Sequence, residues 1–309
     1  MTPGHGTGPR SDTAHTLATL GKARTENFPV APAFLPRAWR DGLTAVYGYA
    51  RLVDDIGDGD LAPGGRDAVL LGLDPAAADD RPALLDALEA DLHRVFRTTP
   101  GFPRHPLLRA LRPVVRAHGL TPDPFLALIE ANRQDQRVTR YETYGDLLGY
   151  CELSANPVGR LVLSLTGTST PERVRRSDAV CTALQIAEHL QDVTEDLGRD
   201  RIYLPAEDMR RFRVTEADLS APSAGASVRS LIAFETERAR ELLNEGTPLV
   251  GSVHGRLRLL LAGFVGGGRA ALRAVTAAGF DVLPGPPEPT RSGLLREVAT
   301  VLRTAPRKG

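Results

Sequence analysis

Carboxylates spaced four residues apart are the first chemistry this chain offers. Glu188, Asp192 and Asp196 lie in the stretch QIAEHLQDVTEDLGRDRIYLP (185–205). At roughly 3.6 residues per turn a helix stacks all three on one face with slight angular drift. Like charges so placed repel one another and destabilise an isolated helix. A divalent cation removes that cost, and Arg199 and Arg201 stand ready for an anion at the helix exit. One such triplet alone reads more simply as a solvated acidic face. The segment YGYARLVDDIGDGD (47–60) shifts that balance, because it sets Asp54 and Asp58 on one helical face, Asp55 about a quarter turn away, and Arg51 three residues before Asp54. Two acidic helices with arginines close by suit a metal-bridged diphosphate, since Mg²⁺ takes carboxylate oxygens together with substrate phosphates.

Helices must carry these side chains, and helical apolar periodicity runs through the whole chain. A first long helix is expected from about Pro36 to Ile56, with Tyr47 and Arg51 one turn apart on the face that continues to Asp54 and Asp58. Amphipathic helices follow over Ala83 to Phe96, Pro106 to Ala117 and Pro122 to Asp135. Asn132, Gln134 and Asp135 either line a polar pocket or form a solvated helix end. Thr143 to Thr166 reads as a buried helix broken at Asn156-Pro157, where the proline clashes with the carbonyl of Leu153. Tyr150 lies upstream on nearly the same face. Thr170 or Pro171 opens the acidic helix, which ends at Gly198. Residues 207–227 read as a polar connection, and Val228 to Asn244 as another amphipathic helix. Gly255 to Ala278 reads as a core helix; its Gly266-Gly267-Gly268 follows no strand and so is not a dinucleotide loop. Arg269 there either helps a diphosphate or caps a kink. A proline-rich run from Pro284 leads to a short basic amphipathic helix, Gly293 to Arg303.

No alternating β-branched run occurs, so the fold is expected to be all-α. Two acidic motifs about 135 residues apart that serve one anion argue for a single domain of about ten helices around a central cavity. The expected organisation is a tail over 1–24, the helical domain over 25–283 and a linker with a short helix over 284–309. The 309 residues carry 38 basic and 38 acidic side chains, so there is no general basic field for nucleic acid. Cys151 and Cys181 show no ligand spacing and read as buried thiols in a reducing cytoplasm. No apolar run is read as reaching the ~20 residues of a membrane span, and Met1 to Arg24 lacks a signal peptide's apolar segment.

Taken together, YGYARLVDDIGD, YCELSANPVGR (150–160) and LQIAEHLQDVTEDLGRDRIYLP (184–205) resemble the head-to-head trans-isoprenyl diphosphate synthases, the group of squalene, dehydrosqualene and phytoene synthases. ENFPVAPAFLPRAWR (26–40) and the Ser-Ala-Asn-Pro-Val-Gly-Arg run are most similar to the bacterial hydroxysqualene synthases of hopanoid pathways. The likeness spans about residues 24 to 280. It implies an isoprenoid synthase bundle in which Asp54, Asp55, Asp58, Glu188, Asp192 and Asp196 hold Mg²⁺. It implies that Arg51, Arg201 and Tyr203 bind the diphosphate, with Asn27, Phe28 and Arg269 as further substrate contacts, although Phe28 reads equally as core. Tyr47, Arg51, Tyr150 and Asn156 would face the reacting centre. The implied reaction ionises presqualene diphosphate, lets the cation rearrange in an apolar aromatic pocket and ends with water, giving hydroxysqualene. Condensation of two prenyl diphosphates, an inactive scaffold subunit and a cation-buffering protein are the alternatives. One departure stands out: Glu188 occupies a position where the wider family usually has Asn, and His189 follows where an apolar residue is common. His189 is read as a core or supporting residue. The expected partners are the isoprenoid diphosphate, an anionic membrane surface resting on the basic tail Arg291 to Lys308 at the cytoplasmic face, and neighbouring pathway enzymes.

Overall fold

Residues 31–97 and 101–305 are described by the computed structural model of the chain. Among them every regular element is helical, and the extended pairing is limited to an isolated bridge between Arg140 and Ile202. The all-α expectation therefore holds. Fifteen α-helices occur among the described residues rather than about ten, because several connections form one or two turns of their own. The chain divides into two compact units, residues up to Arg133 and residues from Gln134.

The first unit is organised by helix α1 (Arg37–Asp58), whose buried stripe includes Leu43, Val46, Tyr49, Leu52, Val53 and Ile56. Helix α1 ends where Gly59 turns left-handed at φ 76° and its N–H bonds back to the Ile56 carbonyl. After the short α2 (Arg66–Leu71) and a single 3₁₀ stretch, helices α3 (Arg81–Phe96) and α4 (Pro106–His118) pack against α1. Helix α5 (Asp123–Asp135) reaches the boundary. Tyr49 anchors α5 from the core: its hydroxyl donates to the Phe125 carbonyl at 2.9 Å, and the two rings meet edge to face at 5.2 Å.

The second unit opens with α6 (Tyr144–Ser154), started by a capping box between Thr143 and Asp146. The expected break at Asn156-Pro157 is present: α6 stops at Ser154, Ala155 (φ −103°, ψ −47°) lies between the two helices, and α7 (Asn156–Leu165) begins with proline in its first turn. The acidic segment also breaks, which periodicity did not foresee. Helix α8 (Pro171–Gln191) gives way at Asp192 (φ −102°, ψ 15°) to α9 (Val193–Gly198). The four-residue backbone bonds from Asp192 to Glu188 (3.0 Å) and from Asp196 to Asp192 (2.8 Å) survive, so the carboxylates still follow one another turn by turn.

The polar connection contains α10 (Ala206–Phe212) and α11 (Glu216–Leu219), the latter capped by Thr215 and Asp218. Helices α12 (Ala226–Gly246), α13 (Pro248–Gly251), α14 (Gly255–Ala277) and α15 (Arg291–Thr304) complete the unit. Against expectation, α14 is long and apolar enough by length and composition to cross a bilayer; yet 61% of its most apolar stretch is buried in this protein, against α8, α12 and α15. Its glycines explain how. A Cβ at Gly266 would lie 2.8 Å from the Val298 nitrogen, and one at Gly268 would lie 2.6 Å from Leu184, so only glycine lets α15 and α8 approach so closely. Part of the apolar side of α15 is thus spent on packing, with Val301 fully buried and Arg273 bonded to Glu297 at 2.6 Å, while Leu295 stays 70% exposed. Cys151 and Cys181 are free thiols, raised by burial to about 12 and about 11.

Candidate active site

Helix α1 holds the first acidic set. Asp54 is accessible yet recessed, and incomplete hydration, more than any neighbour, pushes its carboxyl up to about 7; repulsion from Asp58 and Asp55 adds to this, while Asn132 and Arg51 oppose it. Asn132 on α5 donates to Asp54 at 3.3 Å and to the Leu128 carbonyl at 3.2 Å. That approach depends on Gly57, where a Cβ would sit 1.8 Å from the Asn132 amide oxygen. Asp55 points elsewhere: it is buried and pairs with Arg51 at 2.8 Å. Asp58 is half-buried one turn beyond Asp54, and Tyr47 is half-buried one turn before Arg51.

Helices α8 and α9 hold the second set. Glu188 is exposed, and Asp192 and Asp196 are half-buried. The Asp192 carboxyl is raised, first by burial and then by repulsion from Asp196 and Glu195. His189 carries the set inward: its Nδ1 lies 3.6 Å from Asp196, its Nε2 is 3.1 Å from the Gln185 amide, and its ring stacks on Tyr203. Asp135, at the end of α5, accepts hydrogen bonds from Tyr150 at 2.8 Å and Tyr203 at 3.1 Å. Burial raises the Asp135 carboxyl, and these two phenols partly offset the effect. Tyr141 closes the group, 5.5 Å from Tyr150 and 5.7 Å from Tyr203 between ring centroids. The result is a wall of four aromatic rings, in which the hydroxyls of Tyr150 and Tyr203 are tied to one carboxylate and that of Tyr141 accepts from Gln134 at 3.4 Å.

The structure therefore brings Tyr150 and Tyr203 together with His189 and Asp196. It gives Asn156 a different partner, since its amide oxygen accepts from Thr182 at 3.0 Å. Arg201 is half-buried and lies near enough to Asp135 to oppose the rise in its carboxyl. Of the two roles open to Arg269, the structure displays the capping one: its guanidinium donates to Asn244 and Thr247, each at 3.0 Å, where α12 ends. Asn27 and Phe28 lie outside the described residues. Of the two readings open to Asn132 and Asp135, burial favours the polar pocket over the solvated helix end, with the two residues 8% and 9% exposed. Gln185 is the neighbour of His189 that the sequence did not single out.

An all-carboxylate donor set is hard and anionic, which fits Mg²⁺. Asp54 and Asp192 are both raised by poor hydration and like charge, and a divalent cation relieves both. Among the described residues no group of three or more His, Cys, Asp or Glu is placed so that it could hold a metal ion by itself.

The chain is similar to known proteins. The squalene/phytoene synthase family model matches residues 22–294. Hydroxysqualene synthase from Zymomonas mobilis is 32% identical over 232 residues, covering 74% of this chain and 71% of that protein. The crystal structure of squalene synthase HpnC from Alicyclobacillus acidocaldarius superposes with a TM-score of 0.73 at 40% identity, over 88% of this chain and 97% of that one. A dehydrosqualene synthase structure shares the fold, with a TM-score of 0.78 at 23% identity over 95% and 97% of the two chains. The chain therefore belongs to the squalene/phytoene synthase family, enzymes of prenyl diphosphate processing.

Proposed function

We propose that this protein is a Mg²⁺-dependent hydroxysqualene synthase, with residues 25–283 as its catalytic domain. The observation that carries this reading is the 32% identity to hydroxysqualene synthase across about three quarters of the chain. Bound Mg²⁺ would supply positive charge to the diphosphate leaving group of presqualene diphosphate. Asp54, Asp58, Glu188, Asp192 and Asp196 hold the ions, while Asp55 fixes Arg51 in place to meet diphosphate oxygens, with Arg201.

The carbon–oxygen bond to diphosphate breaks and leaves a cyclopropylcarbinyl cation. Tyr150, Tyr203, Tyr141 and the His189 ring offer it aromatic faces and keep bulk water away. Because Asp135 accepts hydrogen bonds from the hydroxyls of Tyr150 and Tyr203, those phenols stay oriented, and burial first holds their pKa values above the ordinary range and keeps them neutral. Asn156, fixed through its oxygen by Thr182, keeps its NH₂ group to orient one water. That water's oxygen bonds to the rearranged cation, its proton departs to solvent, and an alcohol results. No reductant is required.

Purified protein with Mg²⁺ should convert presqualene diphosphate to hydroxysqualene with release of one diphosphate, and leave farnesyl diphosphate alone unconsumed. Consumption of farnesyl diphosphate as sole substrate would move the assignment to a condensing synthase of the same family.

A further inference from the structure

Charge balances over the whole chain, but one segment is lopsided. From residue 97 to residue 122 there are five arginines, Arg97, Arg104, Arg109, Arg112 and Arg116, and no acidic residue before Asp123. In the structure Arg109 and Arg116 are exposed on α4, and every other exposed residue on that helix is Ala110, Pro113 or Ala117. Phe102, just before α4, is 78% exposed.

Arg112 sits beneath this face and is only 9% exposed. Its guanidinium lies 4.7 Å over the Phe102 ring and reaches only the carbonyls of Gly101 and Arg97, each at a long 3.4 Å. Among the described residues its Nε is buried with no acceptor and no carboxylate pairs with it. The nearby Asp91 on α3 is already taken by Arg94 and by the backbone amides of Arg104 and His105. A buried cation without a counter-ion is costly unless an anion arrives from outside.

Two cavities complete the surface. One of about 650 Å³ is lined by Phe102, Arg109, Arg112, Pro113 and Arg116. It adjoins a second of about 500 Å³ between α1 and α4, floored by Ala38, Gly42, Ala45, Ala110 and Val114, and the two share Pro113 and Ala117. The one carboxylate in the second lining, Asp41, is neutralised by Arg37 at 3.6 Å. Cationic groups beside an apolar trough match an anionic lipid, with phosphate on the arginines and chain in the trough. The basic C-terminal helix is less suited, because Val301 is buried and Val298 lies against Gly266 of α14, which leaves Leu295 as its exposed large apolar side chain, and Leu295 lines neither cavity.

We propose that the outer face of α4 is the surface by which this protein sits on an anionic phospholipid membrane: Arg109, Arg112 and Arg116 meet lipid phosphates, and Phe102 enters the interface. This placement is independent of the catalytic reading.

The test is co-sedimentation of the full chain with phosphatidylcholine vesicles, with or without phosphatidylglycerol. Binding should require phosphatidylglycerol and fade with salt. R109Q/R116Q should weaken it roughly 25-fold, about fivefold per arginine, and F102S should weaken it separately. R291Q/R296Q on α15 should change it less than about twofold. Turnover of detergent-dispersed substrate should be unchanged in every variant, which shows that each is folded. Equal binding by R109Q/R116Q and wild type, equal binding to neutral vesicles, or displacement by millimolar inorganic phosphate at constant ionic strength would each overturn the proposal.

Discussion

The imidazole of His189 lies flat on the phenol of Tyr203, with ring centroids 3.7 Å apart and planes 11° from parallel. One residue thus couples an acidic helix to an aromatic wall, since its nitrogens face Asp196 and Gln185 while its ring supports Tyr203. Stacking and polar contact are separable by mutation. His189→Phe keeps a ring on Tyr203 but loses both polar neighbours, so apparent Mg²⁺ affinity should fall about 10-fold or more, with activity recovering at saturating Mg²⁺. His189→Ala loses the stack as well and should also lower the melting temperature. Mg²⁺ titrations of turnover, beside thermal melts, separate the two effects.

Loss of a single metal-binding charge should be far more damaging than its size suggests. Asp54→Asn and Asp192→Asn should each cut kcat/KM by about 100-fold or more while leaving far-UV circular dichroism unchanged. Glu188 is exposed and offers a graded case. Glu188→Asn retains an oxygen donor and should keep substantial activity, whereas Glu188→Ala should lose more. Equal losses in the two Glu188 variants would remove it from the ligand set.

Product identity, rather than rate, reports on Asn156. Replacing it with Leu removes both the amide and the bond from Thr182. Diphosphate release should continue, while the alcohol gives way to eliminated or rearranged hydrocarbons, measurable by gas chromatography of the extracted products. An unchanged yield of alcohol would confine Asn156 to holding the break between α6 and α7.

A remote carboxyl should govern part of the pH dependence of stability. Glu235 is buried beside Asp208, and burial raises its carboxyl from 4.5 to about 8, with Arg238 opposing and Asp208 adding to the rise. Arg238 bonds to both and is itself held over Tyr144 and Phe234. A raised folded-state value means that the folded chain binds more protons between about pH 4.5 and pH 8, so this contribution to stability declines as pH rises through that window. Glu235→Gln cannot ionise. Its stability relative to wild type should therefore improve from pH 5 to pH 8, by on the order of 1 to 3 kcal/mol, as read from denaturant unfolding at the two pH values.

Much of this site was legible because helical periodicity and charge spacing are local. Asp54 with Asp58, and Glu188 with Asp192 and Asp196, needed only 3.6 residues per turn to be recognised as paired faces. Pro157 announced the break after Ser154 for an equally local reason, the missing N–H and the ring clash. Local rules also have blind spots. Spacing set Asp55 about a quarter turn from Asp54 but did not tell that the structure buries Asp55 against Arg51 and leaves Asp54 recessed and accessible.

By itself, then, the amino-acid order determined that the chain is helical, where its carboxylates stack and where a helix must break, since each depends on residues within about two turns. The tertiary structure decided which polar residues leave water. Asp135 reads as a helix end until Tyr150 and Tyr203, 15 and 68 residues further on, close over it. Arg269 reads as a candidate anion ligand until the end of α12 claims it. Arg112 is one of five arginines between residues 97 and 122, and only packing buries it with no counter-ion among the described residues. Burial is the physical reason for the difference: the free energy of a polar group depends on what replaces its water, and those partners arrive from distant parts of the chain.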